Sequence, residues 1–444
     1  MFERKITSIF ENWYHSNRKK ALLIKGLRQV GKTYIVRDFC QKHYQNFIEI
    51  NFKNDRTLKE AFDGDLSVDR LIMRISALKP NARFVPHKTI IFFDEIQECA
   101  RARASIKPFV DDGRYDIIAS GSLLGLRNYN KKLNQDVPVG YERIVPMHAL
   151  DFEEFLWARG ISKNIIAYLR KCFAEEKPVD VPIHKAMLSY FKEYLVVGGM
   201  PSIVDTFLEN HDLNATINGQ RDLIEEYKDD FGKHLDEKEN EDIDRTLLAR
   251  IEAVFSSLPS QLAKENQKFT YSGIATKAKG RDYDNAIQWL VDYGLAMKCF
   301  NLRKPELPLE GNKINESFKL FLSDSGLLVS LLEDGTAANI LQGDLYVYKG
   351  AIFENAVADA IATKNEPLYY FRKDSGLEID FVKQIDGKAT LIEVKSVSGR
   401  TKAADEVLSH PDKYHVDSCI KLGEYNIGHG GTKLTIPYYM AFLL

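Results

Sequence analysis

The residue types most suited to phosphate chemistry lie in one short segment, residues 26–33, which read GLRQVGKT. The segment matches the pattern G-x-x-x-x-G-K-[ST], and it follows an apolar run and precedes a helical pattern. Glycines let backbone N–H groups curl around an anion, and the start of a helix adds donors and partial positive charge. Lys32 would then reach the β- and γ-phosphates, and Thr33 would offer its hydroxyl to Mg²⁺. The predicted phosphate-binding residues are Gly26, Arg28, Gln29, Val30, Gly31, Lys32 and Thr33.

A second segment, residues 89–95, is an apolar run that ends in two acids, Asp94 and Glu95. Parallel α/β sheets place their ligands at the carboxyl ends of the strands, which is where these acids would lie. Asp94 is predicted to hold the Mg²⁺ shell and Glu95 to polarise an attacking water. The alternative is a pair of solvated acids at a strand end, which the partnership with residues 26–33 disfavours.

A third apolar run ends at Ser120, whose hydroxyl is a candidate contact for the γ-phosphate. A polar turn at the strand end is an equally good interpretation of this serine. Phosphoryl transfer also benefits from an arginine near the γ-phosphate. Arg127 and Arg143 follow the third run and are candidates for that cation, although both also suit a structural role at the surface.

A separate carboxylate pair is predicted near the end of the chain. Residues 378–382 and 391–395 alternate polar and apolar types, and Asp386-Gly387 between them is typical of a two-residue hairpin turn. With that turn, paired positions sum to 773, so Asp380 lies opposite Glu393 and Glu378 lies opposite Lys395. Directly opposed side chains have their Cβ atoms ~5 Å apart, and like charges there are destabilising.

A divalent cation bridging Asp380 and Glu393 would remove that repulsion, and hard oxygen ligands favour Mg²⁺ or Mn²⁺. Lys395 shares their face and could position a water or stabilise a pentacovalent phosphate. Glu354, on an upstream helix, is a candidate for a further carboxylate ligand. The alternative is a solvent-facing hairpin with a simple cross-strand ion pair between Glu378 and Lys395.

The elements that would position these residues divide the chain into four predicted parts. Residues 1–150 alternate strand and helix patterns, which indicates an α/β domain with a buried parallel sheet. Residues 151–240 are predicted to be a helical lid or linker. Residues 241–338 combine helices with a hairpin, as a winged helix does, and residues 339–444 form a last α/β unit.

The composition of the 444 residues, with 44% hydrophobic and 28% charged, is that of a globular protein. A formal charge of -2 excludes a protein that coats nucleic acid by bulk charge, so DNA contact requires local basic patches. No apolar run reaches the ~20 residues that span a bilayer, and no secretory signal is evident. We therefore expect no contact with a membrane. The five scattered cysteines fit no disulfide or zinc pattern, so we expect the protein to be cytoplasmic.

Two basic clusters are candidates for contact with DNA. The first comprises Lys277, Lys279 and Arg281, just before a predicted helix, and a solvated turn is its alternative interpretation. The second comprises Arg101, Arg103 and Lys107, near the predicted phosphate site. This second cluster could serve DNA, a neighbouring subunit or neither.

Taken together, these motifs resemble the AAA-like P-loop ATPases of bacteria and archaea that carry a winged helix and a C-terminal nuclease-like domain. The resemblance rests on residues 26–33, on DEIQ at 94–97, on SGS at 120–122 and on DFEEFL at 151–156. Near the C-terminus, Glu354, Asp380, Glu393 and Lys395 resemble the PD-(D/E)xK nuclease core. The implied fold is a multidomain α/β protein with a P-loop NTPase core, a helical lid, a winged helix and a restriction-endonuclease-like domain.

The resemblance implies that ATP and Mg²⁺ are cofactors, that ATP is hydrolysed to ADP, and that DNA is a partner. It implies Glu95 as the catalytic residue of the ATPase, and Asp380, Glu393 and Lys395 as those of an endonuclease that could use Mn²⁺. Assembly into a homo-oligomer is compatible with it. The alternative is a nucleotide-controlled binding switch whose C-terminal domain is an inactive platform for DNA or protein.

Overall fold

The structure, a computed structural model, describes residues 2–17, 19–122, 138–232, 241–264, 267–276, 278–344, 348–395 and 401–444. Within these residues the first sheet has five strands, β1 Ala21–Lys25, β2 Asn46–Asn51, β3 Thr89–Asp94, β4 Asp116–Gly121 and β5 Glu142–Pro146. The strands are all parallel and lie in the order β2-β3-β4-β1-β5. Around them lie the helices α1 Ile6–Tyr14, α2 Lys32–His43, α3 Val68–Leu78, α4 Ala100–Ala104 and α5 Ile106–Asp112.

Alternate residues of this sheet face two separate hydrophobic cores. In β3, Ile90 and Phe92 join the larger core, whereas Ile91 and Phe93 join a second core on the other face. All six residues of β3 are buried, as expected for a parallel strand covered by helices on both sides. The predicted α/β domain with a buried parallel sheet is therefore confirmed.

Five helices follow the first sheet within the described residues up to 232, in the region where the sequence predicts helices. They are α6 Phe152–Ala158, α7 Lys163–Ala174, α8 Val181–Val197, α9 Pro201–Asn210 and α10 Leu213–Phe231. Asp151 caps α6 in a capping box with Glu154, which satisfies N–H groups at the helix start. Glu154 also binds Arg4 at 3.1 Å, so the first of these helices is tied to the N-terminal segment.

The next part of the chain contains two long helices and an antiparallel hairpin. The elements are α11 Glu241–Leu262, α12 Gly280–Tyr293, β6 Ala296–Leu302, β7 Lys313–Leu322, α13 Ser325–Ser330 and α14 Thr336–Gln342. Strand β6 also pairs in parallel with β8, Leu368–Arg372. With β9, Glu378–Ile379, these strands form a sheet ordered β7-β6-β8-β9. This sheet therefore spans the boundary predicted between residues 338 and 339.

The last part of the chain completes a second five-stranded sheet, ordered β10-β11-β12-β14-β13. Its strands are β10 Phe381–Ile385, β11 Lys388–Val394, β12 Ser418–Gly423, β13 Gly428–Gly430 and β14 Lys433–Pro437, and β9 Glu378–Ile379 precedes them. The helices are α15 Lys349–Ala362, α16 Lys402–Leu408 and α17 Pro411–Tyr414. Among the described residues, none of the helices has the length and apolar character needed to cross a membrane.

The predicted register of the β10–β11 hairpin is confirmed, because Phe381 pairs with Ile392 and Val382 with Leu391, both summing to 773. Asp386 and Gly387 have φ values of 49° and 77°, as a tight turn with two left-handed residues requires. The pairing of Glu378 with Lys395 was wrong. A bend at Asp380 separates β9 from β10, so Glu378 pairs instead with Arg372 of β8.

Candidate functional site

The phosphate-binding segment leaves the end of β1 and enters α2, in the predicted strand–loop–helix context. Gly31 adopts a φ of 92° as the first residue before α2, which a side chain would strain. Gly26 is required for a different reason, since a Cβ there would lie 2.2 Å from the carbonyl oxygen of Met147. Both glycines therefore serve the path of the loop rather than flexibility.

Lys32 is buried at the start of α2, and its side chain hydrogen-bonds the backbone of the phosphate-binding segment. Its Nζ donates to the carbonyl oxygens of Gly26 and Leu27 at 3.0 and 2.9 Å, and to Ser122 Oγ at 2.9 Å. Burial lowers the pKa of Lys32 to about 8, against the attraction of Glu95 and Asp94. This ammonium is thus poorly solvated and gains from an anion brought to it.

Asp94 gathers polar groups from three neighbouring elements at the carboxyl end of the sheet. Thr33 Oγ1 lies 3.1 and 3.0 Å from its two carboxylate oxygens, and Asn51 Nδ2 donates to Oδ2 at 2.8 Å. Ser120 Oγ donates to Oδ1. Burial, with a smaller contribution from Glu95, raises the pKa of Asp94. A hydroxyl and a carboxylate side by side are a donor set that suits Mg²⁺, so Thr33 and Asp94 fit that ion.

Two of these contacts refine the sequence-based assignments. Ser120 hydrogen-bonds Asp94, the predicted metal ligand. Ser122, two residues later, accepts a hydrogen bond from Lys32, the predicted phosphate ligand. Asn51 was not singled out from the sequence. Asn51 is the last residue of β2 and lies directly opposite Asp94 of β3. Its polar side chain at the end of a predicted strand was the feature of the sequence that could have identified it.

Glu95 and the P-loop border a common cavity of about 570 Å³. Glu95 takes a left-handed backbone conformation with φ 52°, and it lies half-buried beside Gln97, which donates to it. Lys32, Thr33 and Ser122 line the same cavity. Arg37 and Lys53 also line it, and they are cations near the phosphate loop that the sequence reasoning missed.

A second cavity of about 350 Å³ adjoins the first and shares Gln29, Gly31 and Tyr34 with it. Phe2, Ile35, Met147 and Pro201 give this second cavity an apolar lining. A charged cavity beside an apolar one, with the loop between them, suits a ligand that has a phosphate end and a planar, largely apolar end.

Of the two predicted arginine contacts, the one that the structure describes, Arg143, is not brought to the phosphate loop. Arg143 is exposed on the edge strand β5, opposite Leu22 of β1, and so lies three residues from the strand end that faces the cavity. Arg127 lies outside the described residues. In the basic cluster at 101–107, Arg103 is buried against Glu142 at 2.5 Å, which indicates a structural role. Lys277 is outside the described residues, and Arg281 lies 3.9 Å from Asp282.

The C-terminal carboxylates meet around a lysine. Lys395 Nζ lies 2.5 Å from Glu393 Oε2 and 3.5 Å from Asp380 Oδ2, and the N–H of Val394 donates to Asp380 at 2.7 Å. The predicted juxtaposition of Asp380, Glu393 and Lys395 is therefore present. Burial, and then Asp380, raise the pKa of Glu393 to about 7, while the nearby carboxylates raise the pKa of Lys395 despite burial.

A second lysine, which the sequence reasoning missed, enters the cluster from β7. Lys319 is 1% exposed, and its Nζ lies 2.7 Å from Glu378 Oε1 and 3.5 Å from Glu354 Oε2. Burial raises the pKa of Glu354 to about 8, against the opposing effect of Lys319. Lys319 and Lys395 thus face Glu354, Glu378, Asp380 and Glu393 within one buried cluster.

This cluster only partly fits a divalent cation. Buried oxygens of Glu354 and Glu393 accept no hydrogen bond, which leaves them open to a further positive ligand. Within the described parts of the chain, however, no set of three His, Cys, Asp or Glu side chains is arranged to hold a metal ion. The structure thus brings Glu354, Asp380 and Glu393 into one cluster with Lys319 and Lys395, and the metal site predicted for the three carboxylates stays a prediction.

Comparison with known families addresses the first part of the chain directly. The family described as AAA domain matches residues 18–156. Residues 18–156 form an AAA-type P-loop ATPase domain. The AAA domain thus contains Lys32, Thr33, Asp94 and Glu95, and its match ends within α6.

Two further families cover most of the remaining chain. A domain of unknown function, DUF8612, matches residues 188–338, and another, DUF4143, matches residues 349–439. No curated protein matches the sequence. The winged helix and the PD-(D/E)xK domain expected from the sequence find no support in these matches, so both remain expectations.

Solved structures similar to the chain include nucleotide complexes. The ORC2 protein of Aeropyrum pernix in ADPNP-ADP complexes has 13% identity and a TM-score of 0.36, over 76% of this chain and 92% of that one. AMPPCP-bound DnaA from Aquifex aeolicus has 13% identity and a TM-score of 0.24, over 65% and 86%. PCH-2 of C. elegans has 15% identity and a TM-score of 0.23, over 38% and 46%. At these scores the assignment of the AAA domain rests on the family match and on the site geometry.

Proposed function

We propose that this protein binds ATP with Mg²⁺ and hydrolyses it to ADP, and that the nucleotide state controls a DNA-acting C-terminal region. The main observation in support of the ATPase is that Lys32 and Thr33 line one cavity at the P-loop, and that Thr33 also contacts Asp94 at the end of β3. A buried ammonium, a hydroxyl–carboxylate pair and the backbone N–H groups that a P-loop supplies together match a metal-bound triphosphate.

The residues divide the reaction between binding and water activation. Lys32 exchanges its bonds to loop carbonyls and Ser122 for phosphate oxygens, which are stronger acceptors because they are charged. Thr33 and Asp94 would hold Mg²⁺, which supplies charge stabilisation at the phosphates when bound. Glu95, half-buried at the cavity wall, orients the attacking water and accepts its proton.

The experiment compares ATP binding and phosphate release for the wild type, Lys32→Ala and Glu95→Gln. We expect Lys32→Ala to lose binding, and Glu95→Gln to bind ATP but to hydrolyse it at least about 100-fold more slowly. Lys42→Ala is the matched control, since Lys42 lies on the same helix but pairs with Asp38 at the surface. Unchanged turnover in Lys32→Ala would remove the assignment of this cavity to ATP.

The DNA-acting part of the proposal rests on the resemblance of Asp380, Glu393 and Lys395 to a nuclease core and on their meeting at one point. Purified protein with DNA and Mn²⁺ is expected to cleave the DNA, and Glu393→Ala and Lys395→Ala are expected to abolish cleavage. Lys388→Ala is the control on the same strand, because its side chain pairs with Asp417 at the surface. Cleavage that survives both changes excludes this site as the nuclease.

The second candidate, a switch whose C-terminal region is an inactive platform, is favoured by the two lysines of the cluster. Lys395 already pairs with Glu393, and Lys319 with Glu378, so both lysines compete with a cation for these carboxylates. An inactive platform predicts that the wild type binds DNA or a protein without cutting DNA, and that Mn²⁺ does not bind at the cluster. Calorimetry with Mn²⁺, comparing the wild type with Glu393→Ala, separates the two candidates.

A further inference from the structure

The last turn of α10 touches the phosphate loop through two buried side chains. Tyr227 donates its hydroxyl to the carbonyl oxygen of Arg28 at 3.0 Å. Arg28 Nη1 lies 2.5 Å from Asp230 Oδ1, and Asp230 is 1% exposed. Position 28 of the P-loop is therefore held by the end of a helix that lies outside residues 18–156.

The same carboxylate continues the connection to α12. Tyr293 donates its hydroxyl to Asp230 Oδ2 at 2.9 Å, so one oxygen of Asp230 faces Arg28 and the other faces Tyr293. Tyr293 stacks on Trp289 with ring centroids 4.7 Å apart, and Phe231 meets Trp289 at 5.0 Å. Since α12 leads directly into β6, the chain of contacts reaches the sheet that holds Lys319.

The end of α10 also presents acidic side chains to the phosphate cavity. Glu226 and Asp229 line the cavity together with Lys32 and Thr33, and Gln29 of the loop donates to Glu226. A polyphosphate entering this cavity would repel these carboxylates and attract the guanidinium of Arg28. The same cation would then be drawn toward two anions, the phosphate and Asp230.

We propose that Arg28, Asp230 and Tyr293 form a relay that couples nucleotide occupancy of the P-loop to the position of α12. Nucleotide binding loosens the Arg28–Asp230 ion pair, and the released carboxylate changes its hold on Tyr293. Asp230 and Tyr293 are positioning residues in this relay, and neither lines the nucleotide cavity. The relay rests on the proposed nucleotide binding and describes how that binding could be transmitted to α12. A ligand shifts a conformation only through contacts that differ between the two states, and the Arg28–Asp230 ion pair is such a contact in this proposal.

Trp289 provides a direct readout of the relay. The chain has three tryptophans, so Trp13→Phe and Trp157→Phe together leave Trp289 as the sole one in the full-length protein. The emission of Trp289 is recorded during titration with Mg²⁺ and a non-hydrolysable ATP analogue. Nucleotide binding itself is measured separately by calorimetry, so that binding and coupling are distinguished.

We expect the parent protein to show a saturable change in Trp289 emission that follows calorimetric occupancy. Tyr293→Phe should lose most of that change while its nucleotide affinity stays within about threefold of the parent, because the hydroxyl lies outside the cavity. Asp230→Asn should lose the response as well. Tyr283→Phe is the matched control, since Tyr283 lies on the same helix, packs near Arg250, and should retain the full response.

Two results would overturn the relay while leaving the ATP site intact. One is nucleotide binding by calorimetry with no change in Trp289 emission of the parent. The other is an equal response in the parent and in Tyr293→Phe. Absence of nucleotide binding to the parent would overturn the proposed function, and the relay with it.

Discussion

The pH dependence of nucleotide affinity tests whether Lys32 meets the phosphates in its charged form. Burial lowers the pKa of the free Lys32 ammonium to about 8. A bound triphosphate would raise that pKa again, because the opposite charge favours the protonated form. Protonated Lys32 therefore binds nucleotide better than neutral Lys32, and affinity should fall as the pH rises through 8.

The size of the effect follows from the titration. With a pKa of about 8, the protonated fraction of the free protein falls from roughly nine in ten at pH 7 to roughly one in ten at pH 9. The Kd should therefore rise by about tenfold over this interval, equivalent to ~1.4 kcal/mol. At pH 9, binding of one nucleotide should be accompanied by the uptake of roughly one proton by Lys32. The phosphate groups do not contribute to this uptake, because with a pKa of about 6 they are already ionised.

Calorimetry in two buffers of different ionisation enthalpy measures both the Kd and the proton uptake at pH 7, 8 and 9. Lys32→Arg is the informative variant, because a guanidinium stays charged throughout this range and the pH dependence should disappear. Lys42→Ala should retain it. Tight binding by the wild type with the same Kd at pH 7 and pH 9, and no proton uptake, would refute the assignment of Lys32 to the phosphates.

Two further substitutions test the loop and the packing. Gly26→Ala should weaken nucleotide binding by about tenfold or more, because its Cβ would lie 2.2 Å from the carbonyl oxygen of Met147 and the loop must shift. Titration with a fluorescent nucleotide measures the affinity. Gly350→Ala is the control and should leave the affinity unchanged, because a Cβ at that position meets open space. Asn355→Leu should lower the free energy of unfolding by about 2–4 kcal/mol, because Asn355 hydrogen-bonds both the N–H and the carbonyl oxygen of Leu322. Urea unfolding measures this free energy, and an unchanged value would contradict the prediction.

The local elements could be predicted from the sequence because the signals that define them are local. The apolar runs before residue 26, at residues 89–95 and before Ser120 correspond to β1, β3 and β4, and the GLRQVGKT segment lies where the strand and helix patterns placed it. The hairpin register followed from the Asp386-Gly387 turn, since a two-residue loop fixes every pair. These successes concern residues that interact within a few positions or through a tight turn.

The errors and omissions concern contacts between distant segments. The bend at Asp380 moves Glu378 into another sheet, although the alternation of residue types continues across it. Lys319 and Asp230 gave no signal, because each is important only through partners that are far away in sequence. A single sequence carries periodicity and turn chemistry, but it does not show which buried charges find each other.

The sheet that joins β6 and β7 to β8 and β9 leads to a prediction about domain independence. A chain of residues 339–444 lacks Lys319, which faces the buried Glu354 and the partly buried Glu378. Removing one partner of a buried ion pair costs about 3–5 kcal/mol, against a total stability of about 5–15 kcal/mol for a typical domain. Leu322, whose backbone satisfies Asn355, would be lost as well.

Residues 339–444 alone are therefore expected to lack a cooperative urea transition, while a chain of residues 296–444, which restores β6 and β7, should unfold cooperatively. Lys319→Met in the longer chain should remove much of that gain, since the strands would remain but the buried carboxylates would lose their cation. If residues 339–444 unfold with the same midpoint as 296–444, the two strands and Lys319 contribute nothing, and the boundary lies at 338 after all. The comparison of the two chains thus tests whether the C-terminal unit needs the cation from β7 that its buried carboxylates face in the full-length protein.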